Sequence, residues 1–185
     1  LMFDQIYKAE NEVYSRFGAG ILKVEYTGFD GEVAKPLKNG RLIVGLSGSV
    51  TKKREVGKAF ELKENDVKDY YTTAFLNGRL NIPEKELYVD VMAGRFLAGD
   101  KGVRLTVSKF IKGVTISAWY SFTDTSVFSD RYNRGYSDKG IRITIPIRLF
   151  EGTDSRTTYG YSLSPWVRDV AQDIDHYHNL FDYIG

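Results

Sequence analysis

Apolar and polar residues alternate one by one over much of this chain, most sharply in its second half. Val103, Leu105 and Val107 stand against Arg104, Thr106 and Ser108. After the turn pair Lys112-Gly113 the pattern resumes, with Val114, Ile116, Ala118, Tyr120 and Phe122 on one side and Thr115, Ser117, Trp119 and Ser121 on the other. A third run sets Ile141, Ile143, Ile145, Ile147 and Leu149 against Arg142, Thr144, Pro146 and Arg148. Side chains of an extended strand point alternately to opposite faces, so each run predicts a strand with one apolar and one polar face. Weaker versions cover residues 22–26, 42–50 and 87–91, and residues 70–80 and 159–163 read as further strands. Turn signals fall at Phe29-Asp30-Gly31, Lys38-Asn39-Gly40, Gly99-Asp100-Lys101-Gly102 and Glu151-Gly152-Thr153-Asp154. Residues 52–69 and 123–139 read as loops, and 168–185 as a tail or short helix. The pattern predicts about eight or nine strands, hence an all-β, antiparallel fold occupying 1–185 as one domain.

Composition narrows the options. The charged residues, 27% of the chain, are mixed in sign and sum to +2, which gives no continuous basic surface for nucleic acid. Without cysteine there is no disulfide framework, thiolate metal site or cysteine nucleophile. No apolar run approaches the roughly 18 residues a transmembrane helix needs. With 13 tyrosines and 18 glycines against 4 prolines, the composition suits strands joined by tight bends. Leu1 takes the place of an initiator methionine, so the expectation is a mature chain or a fragment of a longer one.

Alternation alone does not say which face is inside. A soluble lipocalin-like barrel or sandwich turns the apolar face inward, and a membrane barrel turns it outward. Strands of nine to eleven residues, polar-face arginines and alternating short and long connections suit the membrane barrel, with Val103, Leu105, Val107, Val114, Ile116, Ile141, Ile143 and Ile145 toward lipid. Both readings stay open on the residues alone.

The run Gly94-Arg95-Phe96-Leu97-Ala98-Gly99-Asp100-Lys101-Gly102 resembles a signature of the YjbH family of exopolysaccharide-biosynthesis proteins. Ser137-Asp138-Lys139-Gly140 with Ile145-Pro146-Ile147, and Ser164-Pro165-Trp166-Val167-Arg168-Asp169, resemble two further elements of that family in order and spacing. The resemblance is strongest over 88–172. Where the family pattern continues with two glycines after Arg168-Asp169, this chain has Val170-Ala171. The resemblance implies the C-terminal portion of a transmembrane-type β-barrel of about eight strands, or part of a larger barrel, in a bacterial outer membrane. Its implied role is to assist secretion of exopolysaccharide or capsule without being an enzyme. Outer-membrane lipid, polysaccharide and other secretion-operon proteins would be the partners, with no cofactor. A soluble ligand-binding β-module and a barrel enzyme acting on lipid or polysaccharide are the alternatives.

Candidate side chains follow. Arg104, Arg142 and Arg148, with Asp90, are placed to line a lumen and hold an acidic polymer, or to form a structural network of salt bridges. Trp119, on the polar face, is a candidate for stacking on sugar rings, whereas Tyr120 and Phe122 suit an interfacial girdle. The motif carboxylates Asp100, Asp138 and Asp169, with Lys139 and Arg168, would form a cluster at one barrel end or serve as turn residues among Gly94, Arg95, Gly99, Gly102 and Gly140. Asp173, Asp175, His176 and His178 are the one ligand-type group, but their spacing is no recognised metal signature, and a polar tail with no bound metal is the expectation.

Overall fold

A computed structural model describes the chain except residues 1, 56, 57, 59, 60, 65, 148–156, 165–168, 175–178 and 185. Ten strands form one sheet in which each pairs antiparallel with its sequence neighbours. They are β1 (Met2–Lys8), β2 (Tyr14–Lys23), β3 (Tyr26–Leu37), β4 (Leu42–Lys53), β5 (Tyr71–Ile82), β6 (Leu87–Arg95), β7 (Lys101–Ile111), β8 (Val114–Thr123), β9 (Lys139–Pro146) and β10 (Thr158–Leu163). Among the described residues, single turns of 3-10 helix lie at Pro83–Lys85 and Thr125–Val127, and a short helix, α1, at Leu180–Ile184. No helix among the described residues is long and apolar enough to cross a membrane.

The all-β, antiparallel expectation holds; closure into an eight-stranded barrel does not appear, because β1 and β10 are not paired with each other and the sheet stays open. Two local expectations are corrected. Phe29-Asp30-Gly31 is not a turn but the middle of β3, where Asp30 points to a buried polar face on which carboxylates are paired with Arg16. Residues 22–26 are not one strand: Leu22 and Lys23 end β2, Tyr26 begins β3, and Val24-Glu25 between them are a tight turn, with Val24 87% exposed. At Lys38-Asn39-Gly40 the expected turn is present, and all three residues take positive φ. The turn at Glu151-Gly152-Thr153-Asp154 lies outside the described residues.

The sheet is inside out relative to a soluble protein. Cross-strand register joins Val33, Leu46, Leu76, Ala93, Val103 and Phe122 into one row on the outer face. Apart from the half-buried Ala93, these and neighbours on the same face are exposed, Leu46 by 62%, Leu105 by 41% and Ile141 by 51%. The opposite face is the covered one, and it carries Arg16, Asp30, Glu32, Ser49, Thr51, Thr73, Arg79, Ser108 and Ser121, all buried. In this sheet, then, the apolar residues face outward and the polar ones are covered. Polar groups leave water only when partnered, and these are: the Ser49 and Thr73 hydroxyls bond each other at 2.8 Å, and Thr51 donates to the Tyr71 carbonyl.

Apolar packing is confined to three small clusters, and every one contains residues of the C-terminal segment. Val170 and Ala171 pack on Phe75 and Phe96, Ile174 on Leu22, Tyr71 and Leu97, and Leu180 and Phe181 on Ala34 and Ile43. Residues 169–174 sit at the end of the sheet where the long β4–β5 and β8–β9 connections emerge, and 179–184 at the other end. The segment expected as a tail or short helix therefore covers the polar face through residues 169–174 and 179–184.

Candidate functional site

Between the C-terminal segment and the inner face of β2–β10 lies a cavity of about 620 Å³. The predicted lumen residues Asp90, Arg104, Trp119 and Arg142 all line it; Arg148 lies outside the described residues. Their placement follows from the two-residue period, which puts Arg79, Asp90, Thr106 and Trp119 in one cross-strand row and Ser108, Ser117, Arg142 and Ser162 in the next.

Three arginines organise this face, each taken up by partners. Arg16, fully buried, meets Asp4 at 3.0 Å, Asp30, and Glu32 at 3.4 Å, and Glu32 in turn accepts the Leu180 backbone N–H at 3.0 Å. Arg79 donates from Nε and Nη2 to the two oxygens of Asp90, at 2.6 and 3.1 Å. It also donates to the Asp182 carboxylate and the Phe181 carbonyl, and it stacks 4.4 Å over the Tyr88 ring. Arg104 donates to Asp138 at 2.8 Å, to the Ser121 hydroxyl and to the Ala171 carbonyl. Removing one partner from such a low-dielectric cluster leaves a charge behind, so each network acts as a lock. Neither Arg16 nor Arg79 was singled out in the sequence; the available signal was an arginine at an inward position of an alternating strand.

The motif carboxylates do converge, and what they converge on is the C-terminal segment. Asp100, wholly buried in the β6–β7 turn, accepts the Ala171 N–H at 2.8 Å, and burial raises its pKa above the ordinary carboxylate range. Asp138 takes Arg104, the Trp119 indole N–H at 2.9 Å and the Ser121 hydroxyl on one carboxylate oxygen. Asp169 exchanges bonds with Asn133 of the β8–β9 loop, accepting from its Nδ2 and donating its own N–H to Oδ1. Lys139 stands apart on the outer side, exposed, 5.8 Å from the Tyr120 ring, and Arg95 is likewise exposed. Arg168, Trp166, Asp175, His176 and His178 lie outside the described residues. Among the described ones no group of three or more potential ligands is assembled for a metal.

The motif glycines have steric reasons. Gly94 and Gly102 face each other across the β6–β7 hairpin, and a Cβ on either would come 2.0 Å from a neighbouring strand carbonyl. Gly99 holds the turn at φ 102°. Gly140 lies beneath Trp119, where a Cβ would come 2.5 Å from the indole. The indole thus covers a glycine and bonds Asp138, leaving its remaining surface on the cavity.

These features define a class: a polar-cored antiparallel meander that exposes its apolar face and fills its concave side with its own C-terminal segment. Comparison with known proteins gives the family. Residues 1–185 match the YjbH family model, described as exopolysaccharide biosynthesis protein, and the chain belongs to that family. It is 25% identical over 181 residues to the uncharacterized lipoprotein YjbH of Escherichia coli strain K12, an alignment covering 93% of this chain and 24% of that protein. The chain therefore spans about a quarter of that relative's length. No solved structure matches.

Proposed function

We propose that this chain forms a wall of an outer-membrane β-barrel that assists secretion of an exopolysaccharide and is not itself an enzyme. The observation that carries the reading is the inversion of the faces. Strands of about 11 residues at about 3.3 Å per residue, tilted by about 45°, span the roughly 25 Å apolar band of an outer membrane. The central strands have that length, with β3, β4 and β5 at 12 residues and β7 at 11. Charges on the outer face come only toward the strand ends, at Lys35 and Lys109 on one side and Lys52, Arg95, Lys101 and Lys139 on the other. Leaving the intervening apolar band in water would forgo about 25 cal/mol per Å² across the sheet, whereas lipid satisfies it. Membership in an exopolysaccharide-biosynthesis family supplies the polymer as cargo, and the polar cavity supplies a surface for it. The non-enzymatic reading is supported by how the motif carboxylates are used, since Asp100, Asp138 and Asp169 all hold the C-terminal segment.

The test is fractionation of the full-length protein from bacterial membranes, with heat-modifiable migration on a denaturing gel, beside polymer yield from cells lacking it. The expected outcome is extraction only by detergent, a migration shift on boiling, and reduced secreted polymer. A protein that stays monomeric in buffer without detergent overturns the membrane reading, and undiminished secretion overturns the role.

A further inference from the structure

We infer that Arg142 and its neighbours form a subsite for a carboxylate-bearing sugar unit, a uronic acid or its chemical equivalent, in the chain that the cavity receives. The inference rests on the reading of the concave face as polysaccharide-facing and narrows it to a class of sugar. Of the cavity's cations, Arg79 and Arg104 are held by Asp90, Asp182 and Asp138, and Lys23 donates to the Asp173 carbonyl at 3.0 Å and to Gln172. Arg142 differs. Its Nε donates to the Ser162 hydroxyl at 2.9 Å, and among the described residues no carboxylate pairs with it. That single bond fixes the plane of the guanidinium and leaves both Nη groups for a ligand. Two parallel Nη donors are the fork that a carboxylate takes up in bidentate fashion, and a neutral sugar offers nothing of matching charge.

The surroundings favour the same ligand. Arg142 lies opposite Ser117 and Ser162 in register, and Ser117 accepts from Ser108 at 2.8 Å, which leaves the Ser117 hydroxyl proton to donate onward. Trp119 is diagonal to Arg142, since it faces Gly140 across the strand pair, a Cβ separation of about 7 Å. One sugar ring with its carboxylate on Arg142 reaches the indole. The cavity's carboxylates are engaged by groups other than Arg142: Asp90 and Asp182 share Arg79, Asp138 takes Arg104, Glu32 shares Arg16 with Asp4 and Asp30, and Asp173 accepts the Ile174 N–H. At about 620 Å³ the space is within the range of sites that hold small ligands, about 300–1,000 Å³.

The test compares trigalacturonate with its methyl ester, which keeps the shape and removes the charge, on the full-length protein in detergent, by calorimetry. The wild type is expected to bind the acid at least about tenfold more tightly than the ester. Arg142→Gln should abolish that preference by lowering affinity for the acid far more than for the ester, and Arg142→Lys, which keeps charge but not the fork, should fall between. Heat-modifiable migration of each variant checks its fold. Equal affinity of the wild type for acid and ester, no binding of the acid, or an unchanged preference in Arg142→Gln overturns the subsite. A protein that requires detergent yet shows no preference keeps the barrel reading and loses this one; a preference in a protein that needs no detergent does the reverse.

Discussion

Asp100 shows how a turn residue becomes a fastener. Its place in Gly99-Asp100-Lys101-Gly102 marks a bend, and the bend was legible from glycine and aspartate alone. What the residue does after the bend depends on Ala171, far along the chain, and no local pattern reports that. Replacing Asp100 by alanine leaves the buried Ala171 N–H without an acceptor and is expected to cost about 1–3 kcal/mol. Asparagine keeps an acceptor and cannot ionise. The pKa of Asp100 is raised by burial, so its contribution to stability is complete below the unfolded-state value and is lost as pH rises through the folded-state value. Urea unfolding in detergent should therefore show Asp100→Asn gaining on the wild type as pH rises above the ordinary carboxylate range; a difference independent of pH would mean that the carboxyl does not titrate as described. The same scale explains Gly140. With alanine there, the added carbon meets Trp119, so the indole must leave Asp138. A red shift in tryptophan emission is the expected result, and an unchanged spectrum would place the indole elsewhere.

At the scale of elements, β7, β8 and β9 were legible because alternation over long runs has one reading, and the Lys112-Gly113 hairpin followed from its turn residues. Strands β1, most of β2 and β3 were not, for a physical reason. Their inward positions hold Asp4, Arg16, Asp30 and Glu32, charges that balance one another only across three strands, so each strand taken alone reads as broken by turn residues. The C-terminal segment was illegible for a related reason. Its few apolar residues, Val170, Ala171, Ile174, Leu180 and Phe181, are spaced for no regular element and find their partners on four different strands and a turn. Helix α1 is short enough that its own backbone bonds cannot hold it, and its placement rests on Arg79 and Glu32. Arg79→Gln strands Asp90 and Asp182 and should cost about 2–3 kcal/mol. Amide hydrogen exchange should rise first at residues 180–184, before the strands; loss of protection everywhere at once would show that α1 and the sheet open as a unit.

For the molecule as a whole, one binary choice decides everything downstream: which face of an alternating sheet meets the solvent. The sequence carries the alternation but not the choice, because the same pattern folds either way and only the register of buried charges with their partners selects the polar face as interior. A single outward residue can report what that outer face meets. Leu105 lies midway along β7 and Ile111 at its end, both pointing outward and each 41% exposed. In water, arginine at either position would change stability by no more than about 0.5 kcal/mol, as exposed substitutions do. In a bilayer the cost depends on depth, about 2–4 kcal/mol at the midplane and about 0–1 near the interface. Folding of the full-length protein into phosphatidylcholine vesicles is therefore expected to be weakened strongly by Leu105→Arg and little by Ile111→Arg. Thr106→Arg, one residue on and facing the cavity, separates lumen from lipid, since its charge stays among water and polar groups. Equal small effects at Leu105 and Ile111 would mean that the exposed band never meets hydrocarbon, and the sheet would then need a protein partner over that whole face.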